Sequence, residues 1–152
     1  MTQVVAQMSV SLDGFYAGPR DLRDPQGMDS WLHGPEAPGF FRVTRWATDA
    51  TGWRERMGFE GGERSINSDV IEEYFAAAGA YVMGRRMFDA GEVPWGDTPP
   101  FRAPVFVVTH RPREVLGRHG GTSFTFVTGG VERAIELARD AAGGTEVSVA
   151  GG

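Results

Sequence analysis

Apolar and polar residues follow changing rhythms along this chain. Val4-Val5-Ala6-Gln7-Met8-Ser9-Val10-Ser11 alternates loosely and meets Asp13-Gly14, a turn signal, which predicts a strand. From Gly18 to Ser65 the rhythm breaks down. Prolines at 19, 25, 35 and 38 mark loops, although 39–57 has room for one short aromatic-rich helix. Trp31, Phe40, Phe41, Trp46, Trp53 and Phe59 lie in this stretch, too many aromatics for a disordered tract. A segment this long between regular elements is usually functional, and 18–65 reads as an aromatic-rich insertion.

Order returns at Asn67-Ser68-Asp69, a set of N-cap residues before Val70-Ile71-Glu72-Glu73-Tyr74-Phe75-Ala76-Ala77-Ala78, with Gly79 as the closing glycine. Ala80-Tyr81-Val82-Met83 follows as a buried strand ending at Gly84-Arg85-Arg86. Pro104 to Val108 is a second strand, ending at Thr109-His110-Arg111, and Ser123 to Val127 is a third. Val131 to Ala142 carries apolar residues at helical spacing and stops at Gly143-Gly144. Glu146 to Val149 is a last strand, running into Ala150-Gly151-Gly152. Strands alternating with helices predict one α/β domain over 1–152 with a mostly parallel sheet.

Composition narrows the function classes. The 152 residues include no cysteine, so no disulfide and no thiolate metal site is available. A formal charge of −5 argues against nonspecific nucleic-acid binding, which needs surplus basic charge. No apolar run approaches the roughly 20 residues of a membrane span, and no signal-peptide layout opens the chain, so the cytoplasm is the default location. All 15 basic residues are arginine. A base-composition bias accounts for that simply, but it also removes Schiff-base lysine chemistry and the P-loop. His33, His110 and His119 show no metal-binding spacing, and no nucleophile–base motif occurs. Asp21 and Asp24 beside Arg20 and Arg23 read as a solvated charged loop.

In an open α/β sheet, ligands bind beyond the carboxyl ends of the strands. Three predicted strands end in Gly84-Arg85-Arg86, Thr109-His110-Arg111 and Ala150-Gly151-Gly152. Glycines let backbone N–H groups approach a phosphate, and arginines and a hydroxyl can pair with its oxygens. Each group alone is an ordinary turn or surface charge; together, in this order, they suit a nucleotide.

Five ordered segments carry a resemblance: Met8-Ser9-Val10-Ser11-Leu12-Asp13-Gly14-Phe15, Val82-Met83-Gly84-Arg85-Arg86-Met87-Phe88, Pro94-Trp95-Gly96-Asp97, Pro104 to His110, and Val149-Ala150-Gly151-Gly152. The chain resembles the dihydrofolate reductase-like family, in the branch of the reductase domain of the bifunctional riboflavin-biosynthesis deaminase–reductase. The resemblance implies a mixed, mostly parallel sheet with flanking helices and a bacterial cytoplasmic homodimer. It also implies NADPH-dependent reduction of a small planar heterocycle, pterin-like or aminopyrimidine-like. It assigns cofactor phosphates to Gly84, Arg85, Arg86, Thr109, His110, Arg111, Gly151 and Gly152; arginines so placed favour the 2′-phosphate of NADPH over NADH. Relatives continue past the glycine pair with a helix and further strands. Their lack here points to a fragment or shortened chain, with a central strand left as an edge.

The substrate side has weaker candidates. Asp69, near the start of the helix before the glycine-arginine motif, and Asp13, at the mouth of the first strand, are the two carboxylates for protonation. A helix dipole would lower the pKa of Asp69, against a donor role, and Asp13-Gly14 also reads as a plain turn. Phe15, Tyr16 and Trp31 are candidates to stack on a planar ring. Two other readings stay open: a noncatalytic nucleotide-binding or dimerisation relic, and a protein that binds a planar ligand.

Overall fold

A computed structural model describes residues 2–15 and 38–151, with the side chains of 38–41 excepted. Its elements, in chain order, are β1 (Val4–Ala6), α1 (Pro38–Thr48), α2 (Thr51–Arg56), α3 (Ile66–Ala77), β2 (Ala78–Gly84), α4 (Arg85–Trp95), β3 (Pro104–Val108), β4 (Leu116–Gly117), a 3-10 turn (His119–Gly121), β5 (Ser123–Val127), α5 (Gly130–Ala142) and β6 (Glu146–Ala150). The strands form one six-stranded sheet in the order β1-β6-β2-β3-β5-β4. Every pairing is parallel except β4 with β5. This is the mixed, mostly parallel α/β sheet with flanking helices expected from the sequence.

Helices cover the two faces unequally. On one face α5 presents Ala134, Ala138 and Ala142, one small residue per turn, to Ala80, Val82, Phe106, Val127 and Val147. Small side chains at i, i+4 and i+8 let the helix lie close to the sheet. The other face packs α1–α4 over Tyr81, Met83, Val105, Val107 and Phe124, with Ile71, Phe75, Phe88 and Trp95 as helix contributions. Phe88 meets Phe124 and Phe126 edge-to-face, each at 5.0 Å between centroids, and Trp95 meets Phe101 at 5.0 Å. Offset and edge-on ring contacts of this kind add to plain area burial.

Several predicted boundaries move. The first strand covers only 4–6, because Ala6 already pairs with Val149, one residue from the end of β6. Beyond it Met8 and Val10 are 51% and 55% exposed. The single helix expected within 39–57 is two, α1 and α2, joined at Asp49-Ala50. The predicted caps Asn67-Ser68-Asp69 lie inside α3, whose N-cap is Ser65; the Ser68 hydroxyl oxygen accepts the Ser65 N–H at 3.5 Å as part of a capping box and donates to the Glu63 carbonyl at 2.6 Å. Gly79 does not close that helix. Ala78 turns directly into extended backbone and Gly79 belongs to β2, where a Cβ would come within 2.8 Å of the Ala142 carbonyl oxygen. Strand β6 lies between β1 and β2, and three-residue β1 takes the edge.

The sequence reading assigns no helix between the strand ending at Gly84 and Pro104, where the structure has α4. Gly91 is glycine because a Cβ there would overlap the Trp95 ring, and Pro94 sits in the last turn, where it removes one i→i−4 donor and only Trp95 follows it in the helix.

Candidate functional site

The register brings four strand ends into one row. Gly84 of β2 pairs with Val108 of β3, Val108 pairs with Val127 of β5, and Met83 pairs with Ala150 of β6. Parallel strands put their carboxyl ends on the same side, so Gly84-Arg85, Thr109 and Gly151 share one rim of the sheet. Gly151 (φ +103°) passes so close to α4 that a Cβ would lie 2.8 Å from the Met87 sulfur. That contact ties the third motif to the first. Gly84 has open space where its Cβ would be, leaving its backbone approachable.

Thr109 is buried and holds the second motif in shape. Its N–H donates to the Val127 carbonyl at 3.0 Å, and its hydroxyl oxygen accepts the Arg111 N–H at 3.0 Å. That side chain is thus spent on its own turn. His110 and Arg111 stand exposed, as does Arg86 on the first turn of α4.

Arg85 and Arg111 meet on one carboxylate. Arg85 Nε–H donates to Asp89 Oδ1 at 2.6 Å, and Arg111 Nη2 donates to Asp89 Oδ2 at 3.0 Å. One turn further along α4, Glu92 accepts both terminal nitrogens of Arg113, at 3.0 and 2.6 Å. Arg85 and Arg113 also lie over the same two rings, Phe88 at 5.7 and 5.5 Å and Phe126 at 5.5 and 5.4 Å. The patch therefore holds three guanidinium groups against two carboxylates, with aromatic faces beneath two of the cations. Asp89, Glu92 and Arg113 are missing from the sequence reading. The signal for Asp89 was its i+4 spacing from Arg85, which carries meaning only once 85–95 is known to be helical.

The substrate-side candidates are not gathered in the same way. Asp69 is an exposed first-turn residue of α3. Asp13 sits in a tight turn whose ends close through the Ser11 N–H to the Phe15 carbonyl at 2.7 Å. The Ser11 hydroxyl donates to Asp13 Oδ1 at 2.6 Å, and with the residue's own backbone amide it holds this carboxyl below the usual carboxylate range. Phe15 is 64% exposed. Tyr16, Trp31 and Gly152 lie outside the described residues, as do Asp21 and Asp24 and positions 18–37 of the 18–65 insertion. Nearby, the Trp46 indole N–H donates to Ser9 Oγ at 3.0 Å, pinning α1 beside the segment after β1. A shallow depression of about 220 Å³ runs from Arg45, Trp46 and Asp49 to Glu63, Ser65 and Asn67. Neither Asp13 nor Asp69 lines it.

Among the described residues no group of three or more His, Asp or Glu is placed to hold a metal ion, and no helix is long and apolar enough to cross a membrane. No family model matches the chain, and no curated protein matches it. Among solved structures 9 chains match. One is the "Putative riboflavin biosynthesis protein" of Shewanella sp. PV-4, similar over 100% of this chain with 24% identity and a TM-score of 0.48. This chain spans 66% of that protein's length. The class of protein defined here rests on the sheet itself: an open α/β domain with a basic, aromatic-backed rim at the carboxyl ends of its strands.

Proposed function

We propose that the chain is an NADPH-dependent reductase of a small planar heterocycle, pterin-like or aminopyrimidine-like, and that it acts as a homodimer. One observation carries the reading: Arg85 and Arg111, from two different strand ends, converge on a single carboxylate beside the open backbone of Gly84. Convergent guanidinium donors next to an unencumbered glycine suit phosphate groups, which arginine takes in fork geometry. In this reading Gly84, Arg85, Arg86, His110, Arg111, Gly151 and Gly152 hold the cofactor's phosphates, and Thr109 keeps the second turn in register. Bound NADPH supplies the hydride, which a C=N or C=O bond of the heterocycle accepts. The chain contributes orientation, with Phe15, Tyr16 and Trp31 as stacking groups, and Asp69 or Asp13 as the carboxylate that assists protonation.

A second reading has its own support. A proton donor at neutral pH needs its pKa raised by burial; Asp13 is held low and both carboxylates are exposed. That favours a noncatalytic nucleotide-binding module. Titrating the chain with NADPH and NADH, followed through its four tryptophans, tests both. Saturable, NADPH-preferring quenching with oxidation of NADPH by a pterin or aminopyrimidine supports the reductase. Binding without turnover supports the module. A folded chain that binds neither nucleotide removes both.

A further inference from the structure

Asp89 is the only carboxylate among the described residues that touches two of the proposed phosphate-binding arginines, and its position is poor for stability. Its side chain is 41% exposed and that of Arg111 is 69% exposed, the setting in which ion pairs contribute little to folding. Geometry suggests a different use. Arg85 opens α4, whereas Arg111 lies in the loop after β3, 26 residues later in the sequence by its number. Two long side chains on separate segments lose rotamer freedom whenever a ligand gathers them. Asp89 gathers them beforehand, one oxygen to each, while Phe88 and Phe126 back the Arg85 guanidinium. It engages Arg85 through Nε and Arg111 through Nη2. An arginine has five N–H donors, so donors remain on both groups for an incoming anion.

We infer that Asp89 is a positioning residue that makes Arg85 and Arg111 one preorganised anion site and thereby sets the preference for a phosphorylated ribose. The inference rests on the nucleotide-binding reading above and deepens it. Asp89 does not touch the ligand; it acts through the arginines. Glu92 makes a comparable pair with Arg113 on the same face of α4 and serves as the internal control.

The test compares wild type, Asp89→Asn, Asp89→Glu and Glu92→Gln by calorimetric titration with adenosine 2′,5′-bisphosphate, AMP and inorganic pyrophosphate, alongside thermal melts. The expected result for Asp89→Asn is about tenfold weaker bisphosphate and pyrophosphate binding, the scale of one charge-assisted contact. AMP affinity should change less, so the bisphosphate-to-AMP ratio falls while the melting temperature stays near wild type. Asp89→Glu should restore part of the ratio, and Glu92→Gln should leave it unchanged. Tighter bisphosphate binding by Asp89→Asn would overturn the inference, because the carboxylate would then be a competitor for the arginines. An unchanged ratio, or an equal fall in Glu92→Gln, overturns it too. If wild type binds pyrophosphate but neither nucleotide, the nucleotide reading fails by itself, and weaker pyrophosphate binding by Asp89→Asn still upholds the positioning role. If wild type binds none of the three, both fall.

Discussion

The two groups of candidate residues are built to different standards. On the arginine side every candidate hangs from a strand end, and the register of β2, β3 and β6 decides where it goes. Arg85 is then fixed a second time, by Asp89 and by the rings of Phe88 and Phe126. On the carboxylate side Asp13 belongs to a small turn of its own and Asp69 to an exposed helix start. Neither is buried, and they share no hydrogen bond. A sheet edge assembles distant residues at no extra cost, whereas loop and helix-end residues need dedicated contacts to be preorganised. The architecture therefore gathers the residues proposed for phosphate binding and leaves those proposed for proton handling apart.

Replacing what lies under the arginines should break that contrast most. Phe88 is fully buried and meets Phe124 and Phe126, so Phe88→Ala should cost about 3–5 kcal/mol of stability by cavity formation. It should also loosen Arg85, read as a lower melting temperature and weaker NADPH binding. Next come the arginines themselves: Arg85→Ala or Arg111→Ala should weaken NADPH by about 1–3 kcal/mol with little loss of stability. Unchanged dissociation constants in both variants would remove them from the site.

Tyr81 separates packing from polarity at the centre of the same face. Its hydroxyl is buried without a hydrogen-bond partner among the described residues, and burial pushes its pKa well above the ordinary tyrosine value. Tyr81→Phe should be neutral or stabilising by about 1 kcal/mol at pH 7, since it removes an unsatisfied group. The sign of the pH effect follows from the raised pKa. The contribution of a neutral Tyr81 is fully present below the unfolded tyrosine pKa of about 10. It is lost as pH rises from there through the folded value, because the unfolded chain ionises first. Wild type should therefore lose stability above about pH 10 more steeply than Tyr81→Phe in parallel melts.

The smallest expected effects belong to the carboxylate side. Asp69→Asn should change stability by about 0.3–1 kcal/mol, the usual value of a first-turn acid at a helix N-terminus. A large fall in turnover with unchanged NADPH affinity would show instead that this side is organised in the working complex. For Asp13 the sign is opposite to Tyr81. Its depressed pKa makes the Ser11–Phe15 turn most favourable above the unfolded carboxylate pKa and weakens it as pH falls through the folded value. Asp13→Asn should remove that acid dependence, measurable as proton chemical shifts of the Phe15 amide.

Sequence alone determined β2 from Ala80, β3, β5, β6, α5 and the three motifs at strand ends, but not two-residue β4. Each is written in local terms: runs of β-branched and apolar residues, alanines at helical spacing, and glycines where strands stop. It also left disulfides, thiolate metal ligands and lysine Schiff bases out of these 152 residues, from the lack of cysteine and lysine. Tertiary structure decided the rest, and for a physical reason in each case. Gly79 reads locally as a helix terminator, yet it became strand because the end of α5 leaves no room for a side chain. Residues 85–95 carry no helix prediction, yet they fold as α4, with Gly91 leaving the space that the Trp95 ring fills and Pro94 in the last turn. The strand after Met1 stopped at Ala6 because its partner β6 runs only one residue beyond Val149. The meeting of Arg85 with Arg111 across Asp89 had no local signature. An ion pair between residues 22 positions apart exists only after β2 and β3 pair in register and α4 folds back beside them, which periodicity and propensity do not encode.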